Sequence, residues 1–181
     1  AARGDAHSAG GQMQMKDGLV IDMTALSEVY RLGPDSIHVG AGISWRRLVE
    51  TTLEQNLTPP VLTDWLDVTV GGTLSMGGLG FSSYWDGTQM DHILELEVVT
   101  GDGTVHRVSR SHQPQLFDAV RGTHGQIALI VGVTLPLRRA PTHMQVTQAV
   151  YAQSTKLLED LKAALKTPGY LVHALAAANG Y

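Results

Sequence analysis

Apolar residues recur along this chain in two periods, and the periods divide it into elements. Alternation, or a short unbroken apolar run, marks residues 18–23, 36–41, 93–100, 105–108 and 127–137 as strands. Between them Trp45, Leu48, Val49, Thr52 and Leu53 recur at helical spacing behind Ser44, whose short hydroxyl side chain suits an N-cap, so residues 45–55 read as a helix. Leu116, Phe117 and Val120 mark a shorter helix over 115–121. Gly101-Asp-Gly-Thr104 joins its two flanking strands as a hairpin. Past the Pro136 to Pro141 region the pattern restarts: residues 144–151 alternate like a strand, Leu157, Leu158, Leu161 and Leu165 share one helical face over 154–165, and 170–178 is apolar again. The order predicts an α+β chain with one unit over 1–141 and the opening of a second over 142–181. A strand, helix and strand cannot bury a core of their own, so the remainder of that second unit is expected to lie outside this sequence.

Two stretches follow neither period. Residues 3–15 and 63–80 are loops of glycine, hydroxyls and carboxylates, and twenty glycines in 181 residues exceed the roughly 7% norm. In the second stretch Gly71, Gly72, Gly77, Gly78 and Gly80 alternate with Thr69, Thr73 and Ser75. Such a run is either a cradle of backbone N–H groups for a pyrophosphate or a glycine-rich turn between strands, and composition leaves both readings open.

The overall composition narrows the chemistry. A 43% apolar and 17% charged content is that of a soluble globular chain, and no apolar run reaches the roughly 20 residues of a membrane helix. A net charge of −4 with scattered Lys and Arg argues against a nucleic-acid face, leaving a small molecule as the expected partner and the oligomeric state open. There are no cysteines, which removes disulfides, thiolate metal sites and cysteine nucleophiles. The eight histidines lack His-x-x-x-His spacing, so no metal site is expected. No Gly-x-Gly-x-x-Gly follows a strand, which counts against a Rossmann domain. The N-terminus lacks the order of a signal peptide, which favours the cytoplasm. The chain nevertheless opens on Ala1-Ala-Arg-Gly4 as if in mid-loop, so upstream sequence is expected and localisation stays open.

Four pieces in order, Arg3-Gly-Asp-Ala-His-Ser8 with Gln12, Thr63-Asp-Trp-Leu66 with Thr69-Val-Gly-Gly-Thr-Leu-Ser75, Leu94-Glu-Leu-Glu-Val-Val-Thr-Gly-Asp-Gly103, and Gly125-Gln126 leading to Ile130, resemble the FAD-linked oxidoreductases of the vanillyl-alcohol oxidase type. Within these the chain is most similar to the cytokinin dehydrogenases. The resemblance implies a PCMH-type FAD-binding domain of two α/β subdomains over 1–141, followed by the start of an α+β substrate or cap domain. It implies FAD joined covalently through His7 to the flavin 8α-methyl carbon. Contacts to FAD are implied from the backbone of Ala2, Gly4, Asp5 and Ala6, from the side chains of Ser8 and Gln12, from Thr69 and Ser75 around the pyrophosphate, and from Gly71, Gly72, Leu79 and Ile130. Asp64 matches the aspartate beside flavin N5 that takes a proton from a substrate amine as hydride leaves the adjacent carbon. The implied activity is oxidation of a secondary amine such as a cytokinin-like N6-substituted adenine.

The sequence departs from the commoner pattern in having Ala6 where glycine precedes the histidine, Asp5 where Gly, Arg or His is frequent, Met76 for asparagine and Ala128 for glycine. Alternative readings stand beside these. His7 also suits an ordinary surface loop, and Asp64 an N-cap or a turn. As a base, Asp64 is expected partly buried with Trp65 as its wall. Asp67 reads as structural, Glu95 and Glu97 as solvated, and Tyr84 and Trp85 as either pocket or core. The rival functions are an alcohol or sugar oxidase of the same superfamily and a non-catalytic flavin-binding fragment.

Overall fold

The computed structural model describes residues 1–167. Its centre is a five-stranded antiparallel sheet in the order β3 (Val29–Leu32), β4 (Ser36–Gly40), β8 (Ala128–Pro136), β6 (Glu95–Thr100), β7 (Val105–Ser109). The chain is thus mixed α/β, with helices and sheet both present, as the two periods predict. The inward positions of these strands, Ile37, Val39, Leu96, Val98, Ile130, Val133 and Leu135, form one core with Trp45 and Leu48 of α1 (Trp45–Leu53) and with Phe117 and Val120 of α4 (Pro114–Val120). Ser44 caps α1 by accepting from Arg47 N–H.

Strand β8 carries a register shift opposite Glu97 and Val98: Glu97 pairs with Gly132 and Val98 with Ile130, leaving Val131 as the extra residue. One extra residue reverses the side-chain phase, so Ala128 and Ile130 face inward before it and Val133 and Leu135 after it. The Val131 carbonyl accepts from Ala41 N–H at 3.0 Å, which ties the residue after β4 to the bulge.

A separate parallel pair joins β1 (Ala2–Arg3) to β2 (Ile21–Asp22), and β5 (Leu57–Thr58) pairs antiparallel with β9 (Arg138–Arg139). The strand expected over 18–23 is therefore only two residues long. The edge strand β3, whose four residues carry a charged Arg31, is one the periodicity does not single out.

Two other expectations change. Residues 70–76 form a helix, α2 (Val70–Met76), despite two glycines in its first turn. Residues 144–151 form no strand; Met144, Val146 and Val150 are exposed and no described strand offers them backbone partners, so alternation alone has nothing to pair with. The helix expected over 154–165 is present as α5 (Ser154–Ala164), with no buried residue. The apolar run 170–178 lies outside the described residues. Two short helices, α3 (Ser83–Asp86) and a 3-10 turn at Gln89–His92, fill the passage from α2 to β6.

Candidate cofactor site

Helix α2 sits where it does because its first turn is laced to the segment that leaves β4, residues 41–43. Val70 N–H donates to Ile43 O (2.9 Å), Gly71 N–H to Ala41 O (2.7 Å), Gly72 N–H to the Thr69 hydroxyl (3.3 Å) and Thr73 N–H to Thr69 O (3.1 Å). Every N–H of that turn is thus used inside the protein, and the glycines serve close packing rather than exposed donation. A Cβ on Gly71 would lie 2.8 Å from Ala41 Cβ and 3.0 Å from its carbonyl oxygen. The hydroxyls are engaged too: Thr73 accepts from Trp45 Nε1 (2.9 Å) and donates to Val70 O (3.1 Å), and Ser75 donates to Gly71 O (2.8 Å). The picture of residues 69–75 as a row of free amides gives way to a packed floor.

The free donors lie elsewhere. Among the described residues, no backbone N–H from Gly4 to Gly10 donates to a protein acceptor. This loop leaves β1, and its Gly4 packs against Thr69, the N-cap of α2, where a Cβ on Gly4 would stand 2.2 Å from the Thr69 hydroxyl oxygen. Ala6, two residues on, is held at φ +57°, a left-handed conformation that glycine adopts more cheaply than alanine. A left-handed residue within a run of free amides is the backbone dihedral that anion-binding concavities use.

Between loop and floor lies a cavity of about 1100 Å³. Ala2, Gly4, Asp5, Ala6, His7, Ser8 and Gln12 line its first wall, and Asp64, Thr69, Gly71, Gly72, Ser75 and Leu79 its second. Ile130, beside the β8 bulge, borders it as well. Every site residue expected from the sequence borders this one space. Periodicity gives no sign of several further neighbours, among them Met13, Met23, Val68 and His124.

At one end His7 and Trp65 stack, ring centroids 6.0 Å apart and planes within 7°. Asp64 stands beside them: its Oδ1 accepts from the Thr63 hydroxyl (3.1 Å) and from Trp65 N–H (2.9 Å), and its Oδ2 has no hydrogen-bond partner among the described residues. Asp64 and Trp65 are exposed, so the partly buried setting expected for this carboxylate is not made by the described residues; Trp65 turns its face to His7 instead. Asp67 points away and pairs with Arg46 through two contacts (2.5 and 2.9 Å), and that guanidinium lowers its pKa. Glu95 and Glu97 pair with Arg107 at 3.3 and 2.9 Å. Tyr84 and Trp85 meet edge to face and remain exposed. Among the described residues no group of three His, Cys, Asp or Glu could hold a metal ion, and no helix is long and apolar enough to cross a membrane.

Among the described residues no Lys or Arg borders the cavity, and the carboxylates that do are Asp5 and Asp64. A ligand with negative charge would meet backbone N–H groups together with hydroxyl, amide and imidazole donors there, and one with flat rings meets apolar or aromatic walls. The volume lies just above the roughly 300–1000 Å³ usual for small-molecule and cofactor sites, room for a dinucleotide. Free amides, close glycine contacts and a stacked ring pair fit FAD.

The comparison with known proteins agrees with that class. Residues 1–109 match the FAD binding domain family, and the chain belongs to it, as a domain of the PCMH type. Among curated relatives, the chain is 41% identical to an uncharacterized oxidoreductase, ORF5 in the fasciation locus of Rhodococcoides fascians, over 88% of this chain and 36% of that protein. It is 37% identical to cytokinin dehydrogenase 3 of Oryza sativa subsp. japonica (93% of this chain, 33% of the relative) and 35% identical to cytokinin dehydrogenase 2 of Arabidopsis thaliana (88% and 32%). The chain spans about a third of the length of these relatives.

Proposed function

We propose that this chain is the flavin-binding part of an FAD-dependent oxidoreductase that oxidises a secondary amine of the N6-substituted adenine kind. The observation that carries the reading is the gathering of residues from three distant segments, 2–12, 64–79 and 130, around one cavity that has free backbone donors and, among the described residues, no Lys or Arg. The names of the relatives support the substrate class. The separate β1–β2 pair and the five-stranded sheet each contribute to the cavity wall, which favours a domain of two subdomains over 1–141, with a cap domain opening at 142.

Bound FAD supplies the electron acceptor. The residues of this chain do the rest. Amides of the 4–10 loop hold the pyrophosphate, and the packed floor of α2 fixes how near it lies. Asp64 takes the proton from the substrate N–H: its Oδ1 is pinned by Thr63 and Trp65, which turns the free Oδ2 to the substrate. Trp65 holds the His7 ring flat and so limits the directions its nitrogens can take toward the flavin edge for a covalent bond.

The test is anaerobic reduction of the full-length protein by an N6-substituted adenine. Asp64→Asn keeps the flavin spectrum and slows bleaching by about 10²- to 10⁴-fold, the usual contribution of a general base. Undiminished bleaching in that variant removes Asp64 as the base, whereas an unsubstituted protein that the adenine does not bleach removes the amine substrate and leaves an alcohol or sugar in its place.

A further inference from the structure

One buried group has no part in the site described so far. Gln89 opens the 3-10 turn that follows α3 and is 2% exposed, yet neither its Oε1 nor its Nε2 has a hydrogen-bond partner among the described residues. An amide buried without partners loses its hydration and gains nothing, and such groups are rare in folded proteins.

Its neighbours suggest what it is for. Gln89 N–H donates to Gly78 O at 2.8 Å and Met90 N–H to Gly77 O at 3.5 Å, so the turn is laced to the loop that leaves α2. A Cβ on Gly78 would lie 2.3 Å from Gln89 Oε1 and 2.6 Å from Gln89 Cβ, so the Gly78 backbone rests directly on the side chain. The other side of Gly78 borders the cavity, as does Leu79. Gly77 and Gly78 have φ of +104° and +69°, and two successive glycines let the peptide planes between them rotate at little cost. A polar anchor without partners therefore lies behind a hinge-like backbone whose front face touches the ligand space.

We propose that Gln89 is a positioning residue for the cofactor: its amide takes up hydrogen bonds from the peptides of residues 77–79 as that loop engages the dinucleotide. The proposal rests on the FAD reading above. Gln89 touches no ligand itself; it couples the placement of Gly78 and Leu79 to occupancy of the cavity. The coupling has two opposite signs. Removing the amide relieves two unpaired atoms in the free protein and removes the anchor from the bound one.

The test is Gln89→Leu in the full-length protein carrying His7→Ala, so that FAD binds reversibly. Melting without FAD and titration with FAD are the two readouts. The proposal predicts that Gln89→Leu raises the melting temperature of the FAD-free protein by about 2 °C or more. It also predicts that the Kd for FAD rises about tenfold or more. An unchanged Kd in a parent that binds FAD overturns the proposal and leaves the FAD reading intact. A fall in melting temperature, or failure to fold, identifies the amide as already bonded and structural, and equally overturns it. If neither the His7→Ala parent nor the unsubstituted protein takes up FAD, both readings are overturned together.

Discussion

Gly4→Ala probes the contact by which the two glycine-rich stretches find each other. A Cβ at Gly4 would lie 2.2 Å from the Thr69 hydroxyl oxygen and 3.3 Å from Thr69 Cβ and Cγ2, about 1 Å inside the range of comfortable contact. Thr69 is the N-cap of α2, so the structure can yield in two ways. Thr69 can rotate away and lose its bond to Gly72 N–H, a loss worth about 1 kcal/mol. Alternatively the loop can retreat from α2, a strain of about 1–3 kcal/mol. Either way the free amides of residues 4–10 move relative to the floor, and a loss of about 1.4 kcal/mol in binding is a tenfold weaker Kd for FAD. The assay is denaturant unfolding and FAD titration of the full-length protein, with Gly101→Ala as control because a Cβ there meets nothing within 4 Å. The decisive arm is a double-mutant cycle: in a Thr69→Ala background the obstructing oxygen and Cγ2 are gone, so Gly4→Ala should cost less by about 0.5 kcal/mol or more. Strict additivity, or a Gly4→Ala variant as benign as Gly101→Ala, refutes the contact.

Two further substitutions test the local structure. Ala6 at φ +57° should relax when replaced: Ala6→Gly gains up to about 1 kcal/mol in denaturant unfolding, and a loss of stability would show that the loop is not left-handed there. At the β6–β7 turn, hydrogen bonds from the Thr100 hydroxyl and from the Thr104 N–H and hydroxyl pull the Asp102 pKa from 3.8 down to about 2. A carboxylate depressed by folding stabilises above its unfolded pKa and loses that effect as pH falls through its folded one, so Asp102→Ala should be destabilising at neutral pH. The gap in melting temperature from the unsubstituted protein should close as pH drops from about 4 to about 2; a gap that does not change with pH would show that the turn does not depend on the charge.

What the sequence makes legible here is local. Ser44 caps α1 and Asp102 builds its turn because each acts within three residues, and the core strands alternate because one face of each is buried. The α2 helix is not legible. Two glycines in its first turn cost about 1 kcal/mol each in intrinsic propensity, and the helix exists because Ile43 and Ala41 carbonyls accept its first amides. The alternation at 144–151 misleads for the opposite reason, since a period of two is satisfied only when a partner strand is present. At the site, the residue identities are legible as motifs and the division of labour is not. The spent amides of Gly71 and Gly72, the Gly4–Thr69 contact across 65 positions and the His7–Trp65 stack leave no mark on periodicity. Gln89 reads as one more polar residue of a loop, and its burial is known only once the chain is folded.

Whether the cavity between the 4–10 loop and α2 holds FAD is read from the visible absorption spectrum of the purified full-length protein. The expected result is a yellow protein with the bands of a bound flavin, whose colour stays with the acid-precipitated pellet and is released from the pellet of the His7→Ala variant. A colourless full-length protein that takes up no FAD on titration would contradict it.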